Sequence, residues 1–161
     1  MQQRTLAFTL TLKQTDELTP TEQRLVDAAK AATYRSYAPY SRFSVGAAAL
    51  LGDGSVVCGS NQENAAYPSG LCAERTTLFY AGSQYPEEPV TALCIAARAT
   101  DGQFTPRPIA PCGACRQVLL ETEQRQGPGH PLRVILYGTD VTLLVPSAQD
   151  LLPLAFDASF L

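Results

Sequence analysis

The chain predicts an α/β fold, one layered domain built on a mixed sheet. Two observations carry this. Residues 45–51 and 55–58 are apolar runs joined at Asp53-Gly54, a hairpin signal that calls for antiparallel pairing. Beyond the hairpin, helical and strand patterns alternate, the order that lays helices on a sheet. There is no internal repeat and no linker long enough to divide the chain, so residues 1–161 read as a single domain.

The elements follow in order. Residues 6–12 alternate apolar and polar side chains, which predicts a strand or an ordered N-terminal arm. Thr19-Pro20-Thr21-Glu22 marks a helix start: Thr19 caps, Pro20 takes the first helical position and Glu22 closes a capping box. Leu25, Ala28, Ala29 and Ala32 continue it at helical spacing, and Pro39 sets its limit. A turn with Pro68 and Gly70 precedes a helix over 71–81. The nearly continuous apolar run 90–97 predicts a strand covered on both faces. A loop with three prolines spans 101–111, and a helix follows over 112–123 with Cys115, Val118 and Leu119 facing inward. Gly127-Pro128-Gly129 breaks the chain before strands at 133–137 and 141–145. Ser147 caps a short last helix, with Asp150 completing a second capping box.

Composition narrows the function. An apolar content of 45% is that of a globular protein, and a formal charge of −3 lacks the footprint of a nucleic-acid binder. A small neutral substrate suits it better than a polyanion. No run reaches the ~18 apolar residues that cross a bilayer, and the N-terminus does not read as a signal peptide. Five cysteines, an odd number, include a CxxC and a CxE, which points to metal chemistry in a reducing compartment and predicts a cytoplasmic location.

Cys72-Ala73-Glu74 and Pro111-Cys112-Gly113-Ala114-Cys115 together offer three thiolates and a carboxylate. Three protein ligands are one short of a closed structural zinc site, so the set predicts a catalytic Zn2+ with a position open to water. Cys112 and Cys115 fall on one helical face, and Cys72 sits at a helix start, where the dipole favours thiolate. Cys58 and Cys94 read as core residues and His130 as a surface-loop residue, which leaves no fourth ligand. Glu74 is placed to move protons beside the metal. Three thiolates leave the zinc shell with an excess negative charge, and Arg75 is expected to offset it by donating to sulfur.

These motifs bring the chain to a family. It resembles the small homotetrameric, three-cysteine cytidine deaminases over roughly residues 18–156. Ser36 to Ala48 looks like their opening segment and Asn61-Gln62-Glu63-Asn64-Ala65 like their nucleoside-binding motif. The two cysteine segments match the catalytic ones. The resemblance implies a three-layer α-β-α sandwich around a mixed five-stranded sheet and one Zn2+ per subunit. It also implies hydrolysis of cytidine and deoxycytidine to uridine and deoxyuridine. By position it implies that Phe43 packs on the pyrimidine ring with Val45 nearby, and that Asn61 and Glu63 bind the ribose 3′-hydroxyl. Ala73 and Glu74 would read the base edge. Tyr67 and Phe156 would complete sites shared between subunits of a homotetramer. Residues 1–17 have no counterpart in the family pattern and form an extension of unassigned role.

Three rivals remain. A blasticidin-type nucleoside antibiotic deaminase carries similar motifs. A zinc-stabilised interaction module would need a fourth protein ligand, and a CxxC redox pair would need no metal. Nucleotide and free-base deaminases commonly place His where Cys72 stands, and Glu63 would repel a 3′-phosphate, so a nucleic-acid polymer is not the expected substrate.

Overall fold

In the computed structural model, which describes residues 1–161, six strands form one mixed sheet. The strands are β1 (Thr11–Lys13), β2 (Ser44–Leu51), β3 (Val56–Ser60), β4 (Val90–Arg98), β5 (Arg133–Leu136) and β6 (Thr142–Val145). Their order is β1-β6-β5-β4-β2-β3, and only β4 and β5 run parallel. Helices α1 (Pro20–Ala32), α2 (Ala73–Gln84) and α3 (Gly113–Arg125) cover the sheet. No helix is long and apolar enough to cross a membrane.

The three-layer class stands, and the strand count is six rather than five. The added strand is β1, contributed by the N-terminal extension and paired antiparallel with β6. It is shorter than the alternation over 6–12 predicts: only Thr11–Lys13 enters the sheet. Lys13, the last residue of β1, anchors it to α1. Its ammonium lies 2.8 Å from Glu22 Oε2, tying the strand to the first turn of α1. Glu22 also accepts from the Thr19 backbone N–H while Thr19 Oγ1 accepts from the Glu22 N–H, so the predicted capping box forms.

Strand parity sorts the core into two faces. Ala48, Ala92, Cys94, Ala96 and Ile135 pack with Leu25, Val26 and Ala29 of α1. Ala47, Ala49, Leu51, Leu93, Ile95 and Val134 pack on the other face with Leu78 of α2 and Leu119 of α3. Small residues bring the layers close. A Cβ on Gly46 would lie 2.2 Å from the Ala29 carbonyl oxygen, and one on Gly59 would lie 2.6 Å from Thr77 Oγ1 and 2.8 Å from the Thr77 backbone nitrogen. Gly59 thus lets α2 lie directly on β3, which sets the height of the α2 N-terminus.

Two further expectations are corrected. Cys58 is exposed on β3, the outermost strand at that end of the sheet, rather than buried. Cys94 is fully buried, as expected, and burial pushes its thiol pKa up. Ser147 does cap the 3-10 turn Ala148–Leu151, accepting from the Gln149 N–H, but Asp150 forms no capping box. Glu123 of α3 takes that place from across the fold. It accepts from the Ser147 hydroxyl at 2.6 Å and from the Ala148 and Leu132 N–H groups, both at 2.8 Å.

Candidate active site

Cys72 and Cys112 are the N-cap residues of α2 and α3. Both have extended backbones, and neither side chain caps its own helix. Their carbonyls accept the first helical bonds, from Thr76 N–H at 3.1 Å and Arg116 N–H at 2.9 Å. The thiols are therefore left to face outward from the helix ends. Two helix N-termini converge there, and their partial positive charge favours thiolate.

Cys115, one turn into α3, completes the group and is fully buried. The Cys72–Cys112 sulfur separation is 3.8 Å and that of Cys112–Cys115 is 3.4 Å, with all three sulfurs within 4.8 Å of one another. A tetrahedral zinc with bonds of ~2.3 Å holds thiolate pairs about 3.8 Å apart, so the donor set and its spacing fit one Zn2+ per chain. His130 and Cys94 lie outside this cluster, as expected, and so does Cys58.

Electrostatics prepares the sulfurs. The Cys72 thiol is lowered to about 5, chiefly by a hydrogen bond from Cys115; burial opposes this, and Arg75 and Cys112 add to it. Cys115 is raised in turn, because it supplies that proton and is buried. Arg75 Nη2 lies 3.9 Å from Cys72 Sγ and 3.4 Å from the Gly70 carbonyl oxygen. Its Nε is buried without a hydrogen-bond partner. Glu74 is buried, and its carboxyl pKa is raised above the ordinary range by that burial; its own backbone N–H opposes the shift, and charge on Cys72 adds to it.

A cavity of about 460 Å³ opens beside Cys72 and Arg75. Asn61, Glu63 and Tyr67 line it, along with Tyr40 and Ser41. The structure therefore brings Cys72 of the cysteine cluster and the Asn61/Glu63 pair to one cavity. Val45 and Ala73 lie just behind it: the Val45 N–H donates to Asn61 Oδ1 at 2.8 Å, and the buried Ala73 carbonyl accepts from Thr77 Oγ1 at 2.8 Å. Two expected residues are elsewhere in the single chain. Phe43 is half-buried against the core on the α2 and α3 face. Phe156 is exposed and stacks on Phe160 with ring centroids 5.6 Å apart.

A family model described as the cytidine and deoxycytidylate deaminase zinc-binding region matches residues 19–126. The chain belongs to this family. It is similar to a curated cytidine deaminase of Halalkalibacterium halodurans, 50% identical over 99 residues, covering 62% of this chain and 70% of that protein. A cytidine deaminase of Mycobacterium tuberculosis is 45% identical over 86 residues, covering 53% and 59%. Among solved structures, cytidine deaminase from Burkholderia pseudomallei superposes with a TM-score of 0.68 at 45% identity, covering 86% of this chain and 100% of that one. The Mycobacterium tuberculosis enzyme gives 0.62 at 38%, covering 83% and 95%.

Within the deaminase domain, one supporting residue had no role in the sequence reading. Arg116 follows the CxxC directly. Its Nε donates to the Pro111 carbonyl at 2.9 Å and its Nη1 to the Leu151 carbonyl at 3.1 Å, bracing the zinc loop against the C-terminal turn. A cation beside a metal motif was the available signal, but its acceptors are backbone atoms that no motif names.

Proposed function

We propose that the protein is a zinc-dependent cytidine deaminase, converting cytidine and deoxycytidine with water to uridine and deoxyuridine and releasing ammonia. The observation that carries this is the buried Glu74 carboxyl set beside three clustered thiols at two helix N-termini. Cys72, Cys112 and Cys115 would hold the zinc, which supplies water activation and Lewis acidity at the reacting carbon. Glu74 would take the proton released as water adds at C4 and deliver it to N3. It would then take the proton of the new C4 hydroxyl and pass it to the departing amine, so that the C4–N bond breaks to ammonia as the C4 carbonyl forms. Its raised pKa suits a group that must accept and return a proton near neutral pH. Arg75 would draw charge from the Cys72 sulfur and so keep the water acidic.

Unused hydrogen-bonding capacity supports a ribose hydroxyl at Asn61 and Glu63. Asn61 Oδ1 accepts from Val45 N–H and from the Ser36 hydroxyl, and Nδ2 donates to the Phe43 carbonyl. One amide hydrogen is left. Glu63 Oε2 accepts from the Tyr40 and Ser41 N–H groups, and Oε1 accepts from the Ser41 hydroxyl. Of about four acceptor sites on a carboxylate, one is left. A hydroxyl both donates and accepts, so one spare donor beside one spare acceptor suits it. Ala73 would read the base edge.

We read residues 1–161 as one deaminase domain of a cytoplasmic homotetramer serving pyrimidine salvage. The exposed Tyr67, Phe79, Tyr80, Phe156 and Phe160 support association, since so many exposed aromatics are unusual on a monomer. Phe43, Tyr67 and Phe156 would then meet substrate at subunit junctions. Incubating zinc-loaded protein with cytidine, deoxycytidine and a blasticidin-type nucleoside tests the substrate class. Release of uridine and deoxyuridine is expected, and turnover of the antibiotic alone would reassign it. Sedimentation at the monomer mass would overturn the tetramer.

A further inference from the structure

We propose that Ser41 is the positioning residue that holds the Glu63 carboxylate ready for the ribose 3′-hydroxyl. This rests on the ribose reading above. The Ser41 hydroxyl accepts from the Phe43 backbone N–H at 3.0 Å and donates to Glu63 Oε1. A serine hydroxyl has a single hydrogen. With Phe43 N–H on its oxygen, that hydrogen is directed to Glu63. The Ser41 backbone N–H reaches the other carboxylate oxygen at 3.3 Å, beside the Tyr40 N–H at 2.9 Å. One residue therefore holds both oxygens and fixes the plane of the group.

The turn that presents Ser41 is itself constrained. Arg42 is the one non-glycine residue with positive φ, at 54°, and its N–H donates to the Ala38 carbonyl at 3.0 Å. A left-handed conformation is costly for a side-chain-bearing residue and clusters at functional sites. Arg42 stands between Ser41 and Phe43, whose N–H turns back onto the Ser41 hydroxyl oxygen. Glu63 is held below the usual carboxylate range, first by the Ser41 hydroxyl, against the opposing effect of burial, and then by the Tyr40 and Ser41 N–H groups. The carboxylate is thus kept charged and oriented in the cavity wall before substrate arrives, which limits the entropy lost on binding.

The test compares cytidine with 3′-deoxycytidine, which lacks the hydroxyl, in zinc-loaded wild type, Ser41→Ala and Ser41→Thr. Wild type should favour cytidine by at least about tenfold in kcat/KM, the scale of a hydrogen bond to a charged group. Ser41→Ala should raise KM for cytidine about tenfold with kcat within about twofold, and leave KM for 3′-deoxycytidine unchanged. Ser41→Thr keeps a hydroxyl and should restore the cytidine KM. Equal losses on both substrates in Ser41→Ala would mean a merely structural serine and overturn the inference. Full discrimination retained in Ser41→Ala would overturn it too, while leaving the ribose reading intact. No discrimination in wild type would overturn the ribose reading itself.

Discussion

The sulfurs of Cys72 and Cys112 lie 3.8 Å apart although 40 residues separate them in the chain. Each occupies the N-cap position of a different helix without capping it, and both helices lie on the same face of the sheet. The metal site is therefore a property of helix packing as much as of motif. Whatever moves α2 or α3 along the sheet moves a ligand.

Gly59 is the position where this dependence is most exposed. Gly59→Ala would place a methyl 2.8 Å from the Thr77 backbone nitrogen, so α2 must lift from β3. A loss of about 1–3 kcal/mol in chemical denaturation is expected, as for an overpacked core site. Zinc retention against a chelator should fall with it, because Cys72 rides at the N-terminus of the same helix. Wild-type stability in this variant would show that the contact relaxes without moving the helix.

Arg75 reports on the charge of the cluster. Arg75→Gln removes the cation 3.9 Å from Cys72 Sγ while keeping a polar side chain. Zinc affinity measured by competition with a chromophoric chelator should drop roughly tenfold or more, the scale of a lost partner behind a metal ligand. Affinity equal to wild type would assign Arg75 to the Gly70 carbonyl alone.

Glu22 makes a pH-dependent contribution. Burial raises its pKa, but Lys13 and the Thr19 contacts outweigh this and lower it below the ordinary value. A carboxylate with a depressed folded-state pKa stabilises the fold above its unfolded pKa of about 4.3, and the gain is lost as pH falls through the folded value. Glu22→Gln should therefore cost about 1–2 kcal/mol at pH 7 and progressively less below about pH 4. Parallel stability curves for the two proteins from pH 7 to pH 3 would contradict this role.

The sequence exposed what repeats locally or carries a motif. The Thr19–Glu22 capping box, the Asp53-Gly54 hairpin and the three zinc ligands depend on neighbours within a few residues or on a recognisable spacing. What it hid depends on distant partners. Glu123 replaces Asp150 at the Ala148–Leu151 turn because the Ser147 hydroxyl and the Ala148 N–H fold back onto α3. Cys58 is exposed on a strand that only the strand order places at the edge of the sheet. β1 is a sixth strand paired with the distant β6, and Lys13 ties it to Glu22 of α1. Ser41 lies within the opening segment, but its part in holding Glu63 follows from a contact closed across 22 residues.

Turnover of cytidine by wild type and Glu74→Ala, both zinc-loaded and confirmed folded, tests the central claim most directly. Wild type should release uridine and ammonia in equal amounts. Glu74→Ala should lose at least about a hundredfold in kcat, with zinc content unchanged. Wild-type turnover in Glu74→Ala would contradict the proton-transfer role, and a folded, zinc-loaded wild type that leaves cytidine untouched would contradict the function.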